Sequence, residues 1–209
     1  MSASGDRISV ERASVEHAAE VVWGGGVLVY PTETVYGIGC NPHDVHAVDR
    51  VRAVKGRDAD RPMLALTDEW DRVEAWLASV TAAHRRLMQH DPLLPVTLLF
   101  EASEKAPPGL VSASGEIGLR RTPDPFCRAL VAAADVPLLS TSANRAGQPP
   151  AHRFADLDPA VIDAVDLAVD AGHDLGGTPS TVVRIESGRV VVLREGAVDA
   201  ATLRSIIEA

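Results

Sequence analysis

Apolar positions along the chain follow two alternating periods. From Ser14, which can cap a helix through its hydroxyl, helical spacing runs to about Trp23, and the glycines Gly24 to Gly26 stop it. A buried strand follows over Gly26 to Tyr30, running into Pro31 and a polar loop of Thr32, Glu33 and Thr34 closed by Gly37 and Gly39. A strand that ends in small hydroxyls, a carboxylate and two glycines lets a ligand approach backbone. Val45, Val48, Val51 and Val54 then recur at helical spacing, and that helix delivers Lys55, Gly56 and Arg57 at its C-terminal end.

The pattern beyond this core stretch predicts a short strand over Met63 to Leu66 and a helix over Asp68 to Val80. Trp70, Val73, Trp76, Leu77 and Val80 form the helix's apolar face, and both tryptophans read as core. A further helix spans Ala82 to Gln89. Val96 to Glu101 and Glu116 to Arg121 have strand character, and in the second the adjacent Arg120 and Arg121 must point to opposite faces. Asp124 or Thr122 starts a helix over Pro125 to Ala134, and Val136 to Leu139 is a buried strand feeding the segment STSAN, Ser140 to Asn144. Arg145 to Pro150 reads as a sharp turn able to serve as a lid. Asp158-Pro159 opens a short helix, Leu167 to Asp170 is a strand and Gly172 to Pro179 a glycine-rich loop. Thr181 to Ile185 and Val190 to Leu193 pair through Ser187-Gly188 as a hairpin, and a terminal helix begins near Ala200. Strands alternating with helices give an α/β class, with the hairpin making the sheet mixed rather than wholly parallel.

Composition changes this picture little. At 209 residues, 46% hydrophobic and 23% charged, the chain is expected to fold as one domain over residues 1–209. No apolar run reaches the roughly 18 residues of a membrane span, and the N-terminus lacks the look of a signal peptide, so the expected compartment is the cytoplasm with no membrane partner. Cys40 and Cys127 stand in unrelated contexts and read as small buried hydrophobes. A formal charge of −9 argues against a free-standing nucleic-acid binder, although Arg50, Arg52, Lys55, Arg57 and Arg61 make a local basic stretch that leaves weak RNA binding open.

The chemistry-bearing positions are cations and small hydroxyls at loop ends, with no GxxxxGK[ST] or GxGxxG phosphate loop. That inventory suits a reaction in which the protein positions reactants and neutralises spreading negative charge. Arg57 offers a planar fork for phosphate oxygens and Lys55 a point charge that suits a carbamate or carboxylate, while Ser142 and Asn144 can orient oxygens without adding charge. Read alone, Lys-Gly-Arg is equally a solvated basic helix end that complements the helix dipole. Ser140 and Ser180 are equally turn formers, and Arg194 a surface cation.

PTETVYGIG at Pro31 to Gly39, KGR at Lys55 to Arg57, STSAN, and PSTVVRI at Pro179 to Ile185 together resemble the YrdC/Sua5 family, in the same order and over nearly the whole chain. The resemblance implies a YrdC-like twisted mixed β-sheet flanked by helices, in the short form without a Sua5-type C-terminal domain. It implies a nucleotidyltransferase, an L-threonylcarbamoyladenylate synthase that forms threonylcarbamoyl-AMP and pyrophosphate from L-threonine, bicarbonate or CO2 and ATP. Its product would serve tRNA t6A37 modification through downstream threonylcarbamoyl-transfer proteins, and Mg2+ would come with ATP rather than sit in a metal site of the protein's own. Carried over by position, the catalytic set is Lys55, Arg57, Ser142 and Asn144. ATP falls to Arg57, Arg61, Ser142 and Arg194, and threonine to Thr34, Arg120, Ser140 and Ser180, with Arg120 on its carboxylate. Two segments depart from the family pattern, Arg61-Pro62-Met63 where Asn-Pro-Leu is usual and Pro92-Leu93-Leu94-Pro95 where Trp-Pro-Gly-Pro is usual. Both departures bear on the threonine pocket more than on the fold. The alternatives are a YciO-type paralogue with altered or absent threonine activity, and a double-stranded RNA-binding module of the same fold.

Overall fold

The computed structural model describes residues 6–9, 14–56 and 63–208. In chain order these form β1 (Asp6–Ser9), α1 (Val15–Trp23), β2 (Leu28–Tyr30), β3 (Gly37–Cys40), α2 (Val45–Lys55) and β4 (Leu64–Thr67). After a 3-10 helix at Trp70–Trp76 come α3 (Ala82–Met88), β5 (Val96–Glu101), β6 (Glu116–Arg121), α4 (Pro125–Ala134) and β7 (Leu138–Ser142). The chain continues with α5 (Pro159–Asp163), β8 (Leu167–Asp170), β9 (Thr181–Glu186), β10 (Arg189–Arg194) and α6 (Ala200–Glu208).

The ten strands of the described residues join one mixed sheet in the order β1-β8-β2-β3-β7-β4-β6-β5-β9-β10. The β9–β10 hairpin turns through Ser187 at φ 51° and Gly188 at φ 77°, two consecutive left-handed residues as a tight hairpin requires. β1 was not expected from the sequence; it pairs in parallel with β8, Asp6 opposite Leu167.

Helix starts follow local capping chemistry. Ser14 Oγ accepts from His17 N–H, Asp44 caps α2, Asp124 caps α4 and Asp158 caps α5, the last two ahead of a proline in the first turn. Two expectations fail. Val45, in the first turn of α2, is 63% exposed, whereas Val48 and Val51 are buried. The helix expected over Asp68 to Val80 is a 3-10 segment that ends at Trp76, because Leu77 bridges to Ala102 and Ala78 N–H bonds to the Glu101 carbonyl, drawing the chain into extended pairing. The threefold 3-10 period still places Val73 and Trp76 together in the core, while Trp70 is half-buried and its indole donates to the Met88 carbonyl at 3.0 Å.

Strand alternation divides the core between the two faces of the sheet. Leu28, Tyr30, Leu66, Leu138, Leu167 and Val169 pack with α1 and α4 on one face. Val29, Ile38, Ala65, Leu98, Leu119 and Val183 face the other, with residues of α2 and α6. α1 and α4 pack against each other and lie against β2 and β4, and the same face of the sheet continues toward β6, β5 and β9.

Candidate active site

On that continuation lies a cavity of about 310 Å³, at the lower end of the range for small-ligand pockets. Leu64 of β4, Gly118 and Arg120 of β6, Thr97 of β5, Ser140 of β7 and Val182 of β9 supply its floor. Each alternates with a residue of the larger core, such as Ala65, Leu119, Leu98, Leu139 or Val183, so the floor is one face of the sheet. The Thr32–Thr34 loop, Pro150, Pro179 and the end of β10 form the walls.

Of the residues expected at the site, Thr34, Arg120, Ser140, Ser142, Ser180 and Arg194 all line this cavity. Arg120 is only 4% exposed, and its Nη1 donates to Thr34 Oγ1 at 3.4 Å. Arg121, one residue on, points the other way, donating through Nε to the Asp68 carbonyl and through Nη2 to Glu69. Arg194 Nη2 donates to the Ser180 carbonyl at 2.8 Å and to its hydroxyl at 3.1 Å, and Ser180 Oγ lies 2.9 Å from Thr97 Oγ1. The positions carried over to ATP and to threonine are thus bonded to each other.

Lys55 and Asn144 stand just behind the cavity. Lys55 ends α2 yet is 1% exposed, which rules out the solvated helix-end reading for this residue. Its ammonium donates to the Ser142 carbonyl, to Asn144 Oδ1 at 3.2 Å and to Ser142 Oγ at 3.4 Å. Asn144 Nδ2 in turn holds the Arg145 and Gln148 carbonyls, and Ala146 N–H bonds to the Lys55 carbonyl, so the 145–150 turn is tied to this network. Arg57 and Arg61 lie outside the described residues. The expected basic stretch is not an open patch where it is described: Arg50 pairs with Asp166, Arg52 with Asp49, and Lys55 is buried.

Several participants were not singled out from the sequence. Tyr30, fully buried, donates its phenol to Ser140 Oγ at 2.7 Å, and burial pushes that phenol well above its usual range, so it stays a donor. Thr32 Oγ1 accepts from Thr34 N–H and Val35 N–H and donates to the Val35 carbonyl, which shapes the loop. The glycines after that loop make room chiefly for side chain and strand. A Cβ at Gly39 would stand 2.2 Å from the Leu139 carbonyl and 3.0 Å from the Tyr30 hydroxyl; one at Gly37, which also borders the cavity, would meet the Tyr30 ring at 3.2 Å. A bulky aromatic followed by Gly-x-Gly on the neighbouring strand was the available signal.

A sheet face lined by hydroxyls, with arginines at its floor and rim, is the arrangement of an α/β protein that takes a small anionic ligand. The chain belongs to the Sua5/YciO/YrdC family, whose model, described as "Telomere recombination", matches residues 20–196. A threonylcarbamoyl-AMP synthase of Chromohalobacter salexigens is 38% identical over 169 residues, covering 80% of this chain and 90% of that protein. Among solved structures, P. abyssi Sua5 complexed with L-threonine superposes with a TM-score of 0.85 at 25% identity; the match covers 97% of this chain and 60% of that one. E. coli YciO superposes with a TM-score of 0.76 at 28% identity, covering 88% of this chain and 90% of that one.

Proposed function

We propose that the chain is an L-threonylcarbamoyladenylate synthase, a nucleotidyltransferase that makes the activated intermediate for threonylcarbamoylation of tRNA adenosine. The observation that carries the reading is the meeting, in one cavity, of six matched positions scattered from Thr34 to Arg194. The names of its relatives support the same activity, and the L-threonine in complex with P. abyssi Sua5 supports the amino acid.

In this reading Arg120 takes the carboxylate of L-threonine, with Thr34, Ser140 and Ser180 around its polar groups. The neutral amine forms an N–C bond to the carbon of CO2 and releases a proton to solvent, or to the carbon of bicarbonate with loss of water. An oxygen of the resulting N-carboxylate attacks the α-phosphorus of ATP, the bridging P–O bond breaks, and pyrophosphate leaves. Lys55, Ser142 and Asn144 fix the floor under the reacting oxygens; Arg57, Arg61 and Arg194 hold phosphate. Bound with the triphosphate, Mg2+ would supply further neutralisation of its charge beside these arginines. The donors around the cavity are chiefly hydroxyls, a set suited to an ion whose other oxygen ligands come from phosphate. The product passes to tRNA threonylcarbamoyl-transfer proteins, in the cytoplasm.

The likeness to E. coli YciO keeps a paralogue reading in view, in which the fold is shared and the threonine chemistry is not. One experiment separates the two: incubation with ATP, bicarbonate and each amino acid, with pyrophosphate and the adenylate read by mass spectrometry. Pyrophosphate release that requires L-threonine and bicarbonate together is expected. Release with ATP alone, or a product lacking the added carbon, would overturn the assignment.

A further inference from the structure

Among the described residues, two buried side-chain atoms lack a hydrogen-bond partner, Glu33 Oε1 and Arg120 Nε, and both belong to one ion pair. Arg120 Nη1 stands 3.3 Å from Glu33 Oε1, near enough for attraction but not aligned as a hydrogen bond. The other carboxylate oxygen, Oε2, accepts from Thr122 Oγ1 at 3.0 Å, and Thr122 Oγ1 accepts from the Asp124 N–H at 3.2 Å, at the cap of α4. Glu33 itself does not line the cavity, whereas its neighbours Thr32 and Thr34 do. A buried ion pair with open valences is a poor way to gain stability, since desolvation consumes most of its attraction. Its geometry does fix a direction. Nη1 is turned toward Glu33 and Thr34, while Nη2 has no partner among the described residues and is not sealed from solvent, so Nη2 is the end that Arg120 offers to the cavity.

We propose that Glu33 is the positioning residue of the amino-acid site, acting through Arg120 to hold its guanidinium with one end anchored and the other aimed at the carboxylate of the substrate. The proposal rests on the reading of the cavity as an L-threonine site. A second effect of Glu33 has the opposite sign, because a carboxylate beside Arg120 lowers the positive charge that an anion meets. Orientation outweighs it: the guanidinium fork binds a carboxylate well only in register, and an unanchored arginine spends rotamer entropy on finding that register.

Calorimetric titration of L-threonine and of L-threoninol, which replaces the carboxylate with a hydroxymethyl group, tests this on the parent and on Glu33→Gln, Glu33→Asp and Thr122→Val. The parent should prefer L-threonine. Glu33→Gln should weaken L-threonine by about tenfold, the worth of one well-placed hydrogen bond to a charged group, and leave L-threoninol within about twofold. Glu33→Asp should recover part of the loss, and Thr122→Val should lose part of it. In steady-state kinetics the Glu33→Gln change should fall on KM for threonine, not on kcat or on KM for ATP. L-threonine bound by Glu33→Gln as tightly as by the parent, or more tightly, overturns the proposal, as does equal weakening of both ligands. If Glu33→Gln does not fold, Thr122→Val decides alone, and parental discrimination in that variant overturns it. A parent that binds L-threonine no better than L-threoninol overturns the threonine reading as well.

Discussion

Gly196 closes the wall of the cavity from outside, and Gly196→Ala should damage the site without touching a ligand. A Cβ at this position would stand 2.3 Å from the Pro179 carbonyl oxygen, 2.5 Å from Ser180 C and 2.6 Å from the Ser180 carbonyl oxygen. All three are main-chain atoms, so no change of rotamer relieves the contact, and the two segments must part by about 1 Å to reach ordinary van der Waals separation. The Ala197 N–H bond to the Pro179 carbonyl, 2.9 Å, stretches with them, and Ser180 is drawn away from Thr97 and Arg194. Overpacking of this kind costs about 1–3 kcal/mol of stability, equivalent to a fall in melting temperature of roughly 2–12 °C for a chain of this size. A shift of about 1 Å in groups that position substrate costs up to about 100-fold in kcat/KM. Pyrophosphate-release kinetics beside a thermal melt measure both. Gly188→Ala is the control: Gly188 has φ 77° and nothing within 4 Å of an added Cβ, so it should lose about 1 kcal/mol of stability and none of the activity. Parental kcat/KM in Gly196→Ala, or an equal loss in Gly188→Ala, would refute the reasoning.

Lys55→Met keeps the buried volume and removes the ammonium that Ser142 and Asn144 share; kcat/KM should fall at least about tenfold with the far-ultraviolet circular dichroism retained, and parental kinetics would remove Lys55 from the site. Burial holds the His84 imidazole below its ordinary pKa, so the unfolded chain takes up that proton first as pH falls. Stability supplied by neutral His84 is complete above about pH 6.5 and declines below it, and His84→Gln should flatten urea-unfolding free energies between roughly pH 5 and 7. Hydrogen bonds from Arg184 hold the Glu116 carboxyl below its usual range, so a further loss should begin only under about pH 4.5, and Arg184→Gln should remove that step. Burial raises the Cys40 thiol to about 12 and the Cys127 thiol well above its usual value, so iodoacetamide at pH 8 should leave both unmodified in the native protein and label both in urea, read by intact mass.

Much of the fold was legible in the sequence because its signals are local. Ser14, Asp124 and Asp158 cap the helices they were expected to cap, Ser187-Gly188 turns the hairpin, and adjacent arginines on β6 do face opposite ways. The failures are those in which distant pairing decides. β1 is held through β8, more than 150 residues away in sequence, and the segment after Asp68 gives up its helix to pair Leu77 with Ala102. The site divides in the same way. The family resemblance pointed to Arg120, Ser140, Ser180 and Arg194, whereas the pairing of Ser140 with Tyr30 and of Ser180 with Thr97 joins residues far apart in sequence and became visible only through hydrogen bonds between strands.

The parallel pairing of β5 with β9, Thr97 opposite Val182, has a temporal side. Translation delivers the β4 to β7 part of the floor, Arg120 included, well before Ser180, Val182 and Arg194, which come with the last hairpin. The cavity is complete only once that hairpin is paired with β5. A ligand that recognises only the finished cavity pulls on the closure of the whole sheet. Slowed amide exchange on L-threonine binding should accordingly reach β6 and β9 together, spreading across residues that never touch the ligand.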